Sequence, residues 1–180
     1  MNMEQAVNGA LTISGLTTRE ELAFLYKLVK LAPAGWIVEL GSFRGRSGFI
    51  LCTAAKPGSQ VLLIDNFSHH DYTDKELLRT NLFEMGYTPL IVDGDSSTIP
   101  PFFPQDAKVG LLFIDSEHTK EHYDAECDAW LPRMAKGGIV ASHDYGGRKH
   151  GAEMVPIIEK RMQGLERVGL ARRLIAFKVK

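Results

Sequence analysis

The segment Glu39-Leu40-Gly41-Ser42-Phe43-Arg44-Gly45-Arg46-Ser47 joins an apolar run to a helical one, and it ends the first run on an acid and a glycine. Glycine permits a left-handed turn and a close approach by a ligand. A dinucleotide fingerprint needs G-x-G-x-x-G, so that a pyrophosphate can rest on the helix N-terminus. Here the two glycines stand four residues apart with a bulky Phe43 between them, and no Gly-Lys-Ser/Thr follows to make a P-loop. Glu39 would repel a phosphate but suits an ammonium group, so the loop fits a cofactor with a cationic amino-acid end. Acids also close the later apolar runs, at Asp65, at Asp93 and Asp95, and at Asp115. His118 follows Asp115, and His143-Asp144 follows a further run. An imidazole with an ordinary pKa of about 6.5 can take a hydroxyl proton near neutral pH.

Such residues need strands and helices to bring them together. Apolar runs at 36–40, 61–64, 89–92 and 109–114 read as strands, the last as a parallel strand covered on both faces. Thr18 and Glu21 form a capping box, and Leu22, Leu25, Leu28 and Val29 recur behind it at helical spacing up to Pro33. Helices are also expected after Gly41, over 74–85 and over 153–163. Tyr123, Cys127, Trp130 and Met134 recur at steps of four, three and four, predicting one helix face, with Gly137-Gly138 ending the helix and a strand over 139–142. The tail, 171–179, reads as an edge strand paired with 167–170. The alternation predicts a single-domain α/β fold, a doubly wound, mostly parallel Rossmann-like sheet with an antiparallel C-terminal edge strand. Ligands bind such sheets at the carboxyl ends of the strands.

Composition narrows the class. With 44% hydrophobic and 24% charged residues among 180, the chain has the material for a core. No run of about 18 apolar residues suggests a membrane span, and the first residues lack the basic start and apolar stretch of a signal peptide. Cys52 and Cys127 are too few for a disulfide framework, so a cytoplasmic setting is expected. From residue 148 onward there are 9 Lys/Arg against 3 Asp/Glu, which leaves the net −1 chain with −7 before that point. These cations are spread out without interleaved aromatics, so solvated faces are expected and no nucleic-acid partner. The first 16 residues are expected to be flexible, and Phe102-Phe103 and the C-terminal edge strand are candidate homodimer surfaces.

Glu39-x-Gly41-x-x-x-Gly45-x-Ser47 resembles the first motif of class I S-adenosylmethionine-dependent methyltransferases, in the form found in catechol O-methyltransferase-like enzymes and their cephalosporin-hydroxylase-like (methyltransferase 24-type) relatives. Gly94-Asp95-Ser96, Phe113-Ile114-Asp115-Ser116-Glu117-His118 and Gly137-Gly138…His143-Asp144-Tyr145 resemble the later motifs in the same order, over about residues 36–146. The resemblance implies S-adenosyl-L-methionine as cofactor. It implies contacts from Glu39, Gly41, Ser42, Gly45 and Ser47 in the loop, and from Asp65 and Asn66 at the ribose. Asp95 and Ser96 would lie at the adenine, with Asp115 beyond them and the helix at 18–31 covering the cofactor. In catechol-type enzymes a divalent cation holds the acceptor oxygens; Asp115 and Asp144 take two of the ligand positions for Mg²⁺ or another divalent ion, and Tyr145 stands where the family has Asn. His118 takes the position of the base, with His143 second.

The expected function is therefore methyl transfer to oxygen of a small-molecule substrate such as a sugar or phenol. A non-catalytic S-adenosylmethionine-binding or regulatory protein is the alternative, and it would need no Asp115/His118/Asp144 cluster. A nicotinamide oxidoreductase is disfavoured by the glycine spacing. His69-His70-Asp71-Tyr72 is a polar loop that could border a substrate pocket, Asp124 and Asp128 read as a solvated helix face, and both cysteines as inert.

Overall fold

The run Val109–Ile114 is buried at every position, and the sheet is built around it. The computed structural model describes residues 1–68, 73–146 and 151–180. The strands are β1 (Trp36–Leu40), β2 (Gln60–Asp65), β3 (Leu90–Asp93), β4 (Val109–Ile114), β5 (Met134–Ser142), β6 (Glu166–Ala171) and β7 (Leu174–Lys178), in the order β3-β2-β1-β4-β5-β7-β6. β1 to β5 pair in parallel, and β7 runs antiparallel to both β5 and β6. Alternate side chains feed two cores. Ile37, Leu63, Leu111 and Phe113 meet the helices α1 (Met3–Ala10), α2 (Arg19–Leu31), α3 (Arg46–Ala54) and α4 (Asp74–Glu84) on one face. Val38, Leu62, Leu112 and Val140 meet α5 (Lys120–Trp130) and α6 (Gly151–Arg161) on the other. The strand order reverses between β1 and β4, which makes their carboxyl ends the switch point where such a sheet opens a crevice.

Three elements differ from the sequence expectation. The helix carrying Tyr123, Cys127 and Trp130 stops at Trp130, because Pro132 lacks an N–H and turns the chain into a 3₁₀ turn at 131–133. Met134 then opens β5 instead of ending the helix face, and Gly137-Gly138 lies inside that strand. The pairing with β4 jumps there, from Val109↔Met134 to Leu111↔Ile139, and Gly137 has φ of 74°. In the stretch expected to be flexible, residues 3–10 form α1, opened by a reciprocal Asn2–Gln5 capping box and burying Ala6, Val7 and Ala10. The last strand is not the edge: β7 sits between β5 and β6. Its residues Leu174 to Phe177 are all buried, as a strand covered on both faces requires, whereas β6 is largely exposed and forms the edge.

Among the described residues no helix is long and apolar enough to cross a membrane. Phe102 is 86% exposed, while its neighbour Phe103 packs edge-on between Trp36 and Trp130, with centroids 4.9 and 5.5 Å away. Trp130 is fully buried and donates its indole N–H to the Ser96 carbonyl at 2.8 Å, tying α5 to the turn after β3. Trp130→Ala is expected to lower stability by about 3–5 kcal/mol, read from the urea midpoint. A loss below about 1 kcal/mol would show that this contact does not hold α5 in place.

Candidate active site

A cavity of about 880 Å³ opens at the carboxyl ends of β1, β2, β4 and β5, within the range of small-molecule sites. Its floor is the loop that leaves β1. Gly41 has φ of +87°, and a Cβ there would lie 2.2 Å from the Asp115 carbonyl oxygen, so only glycine lets the two strand ends approach. Phe43 is also left-handed, and Gly45 in the same region starts α3. Asp65, closing β2, accepts from the Phe43 and Phe67 amides at 2.7 Å each, which fixes the loop and leaves its carboxylate on the cavity wall. Ser42 and Ser47 are buried and line the cavity, and Asn66 lines it while accepting from Ser68.

Glu39 lies fully buried beneath this loop, and neither carboxyl oxygen has a hydrogen-bond partner among the described residues. Burial raises its pKa to about 8; the Ser47 and Ser42 hydroxyls lie near enough to pull it down without an aligned hydrogen bond, while Asp115 and Asp65 add to the rise. At the other wall of the crevice Ser96 lines the cavity, but Asp95 does not. Asp95 instead accepts from the Ser97 amide and hydroxyl at 2.9 and 2.7 Å, and the Ser97 hydroxyl holds its carboxyl below the ordinary value.

Sequence reasoning missed the group around Ser96. Glu126 on α5 is fully buried and accepts from Ser96 and Ser116, with His122 at 3.2 Å. Its signal was an acid at position 126 within the apolar stripe of Tyr123, Cys127 and Trp130. Bonding to Glu126 raises the pKa of His122.

The remaining acids and histidines converge where β4 and β5 end. His118 Nε2 lies 2.9 Å from Asp144 Oδ2, at the cavity wall. That bond raises the His118 pKa, against burial, with the charges of Asp144 and Asp115 adding to it. His143 is buried, its Nδ1 lying 3.1 Å from both Asp115 Oδ1 and Asp144 Oδ2. Its Nε2 is 3.3 Å from Glu21 Oε1, an ionic contact without hydrogen-bond alignment. Burial disfavours the charged ring, but Asp115, Asp144 and Glu21 outweigh it and raise its pKa to about 12. The three carboxylates around the ring thus favour its protonated form, which weighs against His143, the second candidate base, as a proton acceptor. Asp144 has φ of 55°, and its Oδ1 accepts from Arg173 at 2.7 Å. Burial opposes its charge, yet His118 and His143 hold its carboxyl well below the ordinary range. Burial raises the pKa of Asp115 and Asp144 adds to the rise, while His143 and His118 pull it down. Glu21 and Arg173 were not foreseen here. Glu21 was legible only as the capping residue of α2, and Arg173 only as part of a basic tail.

Both cysteine thiols are pushed up to about 12, mainly by burial, and Asp124 and Asp128 face Lys120 and Arg161 on the surface. The His69–Tyr72 loop lies outside the described residues.

The family model for a methyltransferase domain of type 24 matches residues 38–145, more than half of the chain and every strand end named above. The chain belongs to this methyltransferase family. The loop resemblance and the match agree on an S-adenosylmethionine-dependent domain. Among curated proteins, the uncharacterized protein y4gI of Sinorhizobium fredii is 25% identical over 125 residues, which is 64% of this chain but only 14% of that protein. Among solved structures, cofactor-bound Rv0187 from MTB superposes with a TM-score of 0.74 at 18% identity, covering 98% of this chain and 87% of that one. The O-methyltransferase TomG from Streptomyces achromogenes, involved in tomaymycin synthesis and solved with S-adenosylmethionine, gives 0.66 at 16% identity over 99% and 89%. Both solved structures share the fold over 98–99% of this chain, beyond the matched segment.

A buried, unpartnered carboxyl leaves a mark on stability. Because folding raises the pKa of Glu39, its contribution is fully present below its ordinary value of 4.5 and is lost as pH rises through about 8. Glu39→Gln is expected to remove that decline when melting temperatures are compared at about pH 6 and about pH 9. Equal losses in both proteins would show that the carboxyl ionises without penalty.

Proposed function

We propose that this methyltransferase acts on oxygen, moving a methyl group from S-adenosylmethionine to a hydroxyl of a small polar acceptor such as a sugar or phenol, with His118 as general base. The observation that carries the reading is the His118–Asp144 pair, 2.9 Å apart, opening onto the same cavity as the Gly41 loop and Asp65. The cofactor supplies an activated methyl group on a sulfonium, so the chain must align two partners and take one proton. Asp65 suits the two ribose hydroxyls, since each oxygen has a lone pair left beside its backbone donor. Glu39 would regain its charge opposite the ammonium group. Ser96 faces the adenine side of the cavity, whereas the orientation of Asp95 keeps it out of the reading.

Sheet order supports this layout. Asp65 ends β2 and Asp144 stands two residues beyond β5, strands that lie three spacings apart, or about 14 Å, which suits a nucleoside at one end and the acceptor at the other. As the new C–O bond forms and the C–S bond breaks, the hydroxyl proton passes to His118. Asp144 orients that ring and favours its protonated form. A non-catalytic binder has no use for such a pair. The two free cysteines agree with a reducing, cytoplasmic setting.

A Mg²⁺-type ion does not fit the donors present. Asp115, His143 and Asp144 do converge, with ligand atoms within 4.8 Å of one another. One donor is an imidazole nitrogen, however, and both Asp144 oxygens already accept from cationic side chains, whereas Mg²⁺ takes oxygen ligands. No step in the reading passes through a metal.

Two variants test it. Asp65→Ala is expected to weaken S-adenosylhomocysteine binding by about ten- to a hundredfold in calorimetry, from the loss of charged hydrogen bonds; unchanged affinity would remove Asp65 from the site. With hydroxylated acceptors screened by S-adenosylhomocysteine release, turnover should rise with pH through a midpoint above the ordinary histidine value. His118→Ala should lower turnover by about 10²- to 10⁴-fold. Turnover by that variant at the wild-type rate at every pH would exclude His118 as the base.

A further inference from the structure

The resemblance to catechol-type enzymes would put a divalent cation where Asp115 and Asp144 meet. The geometry points to another occupant. We infer that the His143 imidazolium, clamped between Glu21 on one side and Asp115 and Asp144 on the other, is the resident cation of this site, and that the cluster takes no divalent ion.

Three carboxylates surround one buried ring. His143 Nδ1 stands 3.1 Å from an oxygen of each aspartate, and Nε2 stands 3.3 Å from Glu21 Oε1. Both oxygens of Asp144 are occupied as well. Asp144 Oδ1 accepts from Arg173 Nη1 at 2.7 Å, and Asp144 Oδ2 also receives His118 Nε2 at 2.9 Å. Glu21 is itself held rigidly. Its Oε2 accepts from the Thr18 amide and hydroxyl at 2.8 Å each, and its Oε1 accepts from the Arg173 amide at 3.1 Å. Glu21 is thus fixed opposite Nε2 of His143, on the side of the ring away from the aspartates.

Part of the negative charge is met without a metal. Glu21, Asp115 and Asp144 surround His143, Asp144 also meets Arg173, and His118 lies against Asp144 from the cavity side. A doubly charged ion at the same point would meet these cations and would have to displace a ring N–H from between the two aspartates. An ion bound through a deprotonated Nδ1, with Nε2–H still facing Glu21, is the competing arrangement, and it is one that zinc favours.

As a statement about catalysis the inference rests on the proposed O-methyl transfer; as a statement about binding it does not. The EDTA-treated full chain is titrated with Mn²⁺ and with Zn²⁺ by calorimetry, and Mn²⁺ is also followed by electron paramagnetic resonance. Wild type is expected to show no one-to-one site at the cluster. His143→Asp, which replaces a cation by a third carboxylate, is expected to gain a one-to-one Mn²⁺ site. A wild-type site for either ion that Asp144→Asn abolishes would overturn the inference. So would a His143→Asp protein that is folded by circular dichroism yet binds no Mn²⁺. S-adenosylhomocysteine titrated into the same samples reports on the cofactor reading separately.

Discussion

Where β1 and β4 end side by side, the backbone of Gly41 runs against the Asp115 carbonyl so closely that even a methyl group would collide. The cavity depends on that approach. The Asp115 amide donates to the Leu40 carbonyl and the Gly41 amide to that of Ile64, both at 2.8 Å, so three parallel strands are sewn together to their last residue. The chains then part in different directions, and the crevice between them is lined by whatever follows each strand. A bulkier residue at 41 would push the strands apart before the acids they carry could face a common ligand.

The crevice separates two kinds of electrostatic environment. Below the loop, Glu39 meets no counter-charge among the described residues, and burial favours its neutral form. At the far side, Asp144 is surrounded by cations and held ionised. Two acids on one sheet edge are thereby driven in opposite directions by their surroundings, the pattern that marks sites able to bind a cation at one point and manage a proton at another. Asp115 lies between them in sheet order and feels both influences.

How much of this could be read in advance follows the range of each interaction. β1 and β4 have the bounds their apolar runs predicted, because burial on both faces leaves no other reading. The loop glycines, Asp65 and the Asp115–His118 spacing were legible because they are local to strand ends. Glu21 was legible only in part: one carboxylate oxygen serves Thr18 three residues away, and that was visible, while the other serves His143 and Arg173, which no local pattern announces. Asp95, expected at the adenine from its place in the motif, does not line the cavity, and the reason is again local. Its neighbour Ser97 closes a turn on it and takes its side chain out of the cavity. Met134 fitted a helical stripe by spacing alone, and Pro132 ended the helix before it.

The clasp at Glu21 also sets an order of assembly. It joins residue 21 to the amide of residue 173, across a separation of 152 residues, and Arg173 sits in the turn just before the strand that is inserted beside β5. During synthesis the Gly41 loop, Asp65 and Asp115 are complete long before that turn leaves the ribosome. A nascent chain could therefore form much of a cofactor pocket while Asp144 still lacks Arg173 and Glu21 still lacks its distant partner. Late, non-local pairings of this kind are slow to form. The cluster is thus completed only when residue 173 arrives, long after the loop that opens the cavity has formed.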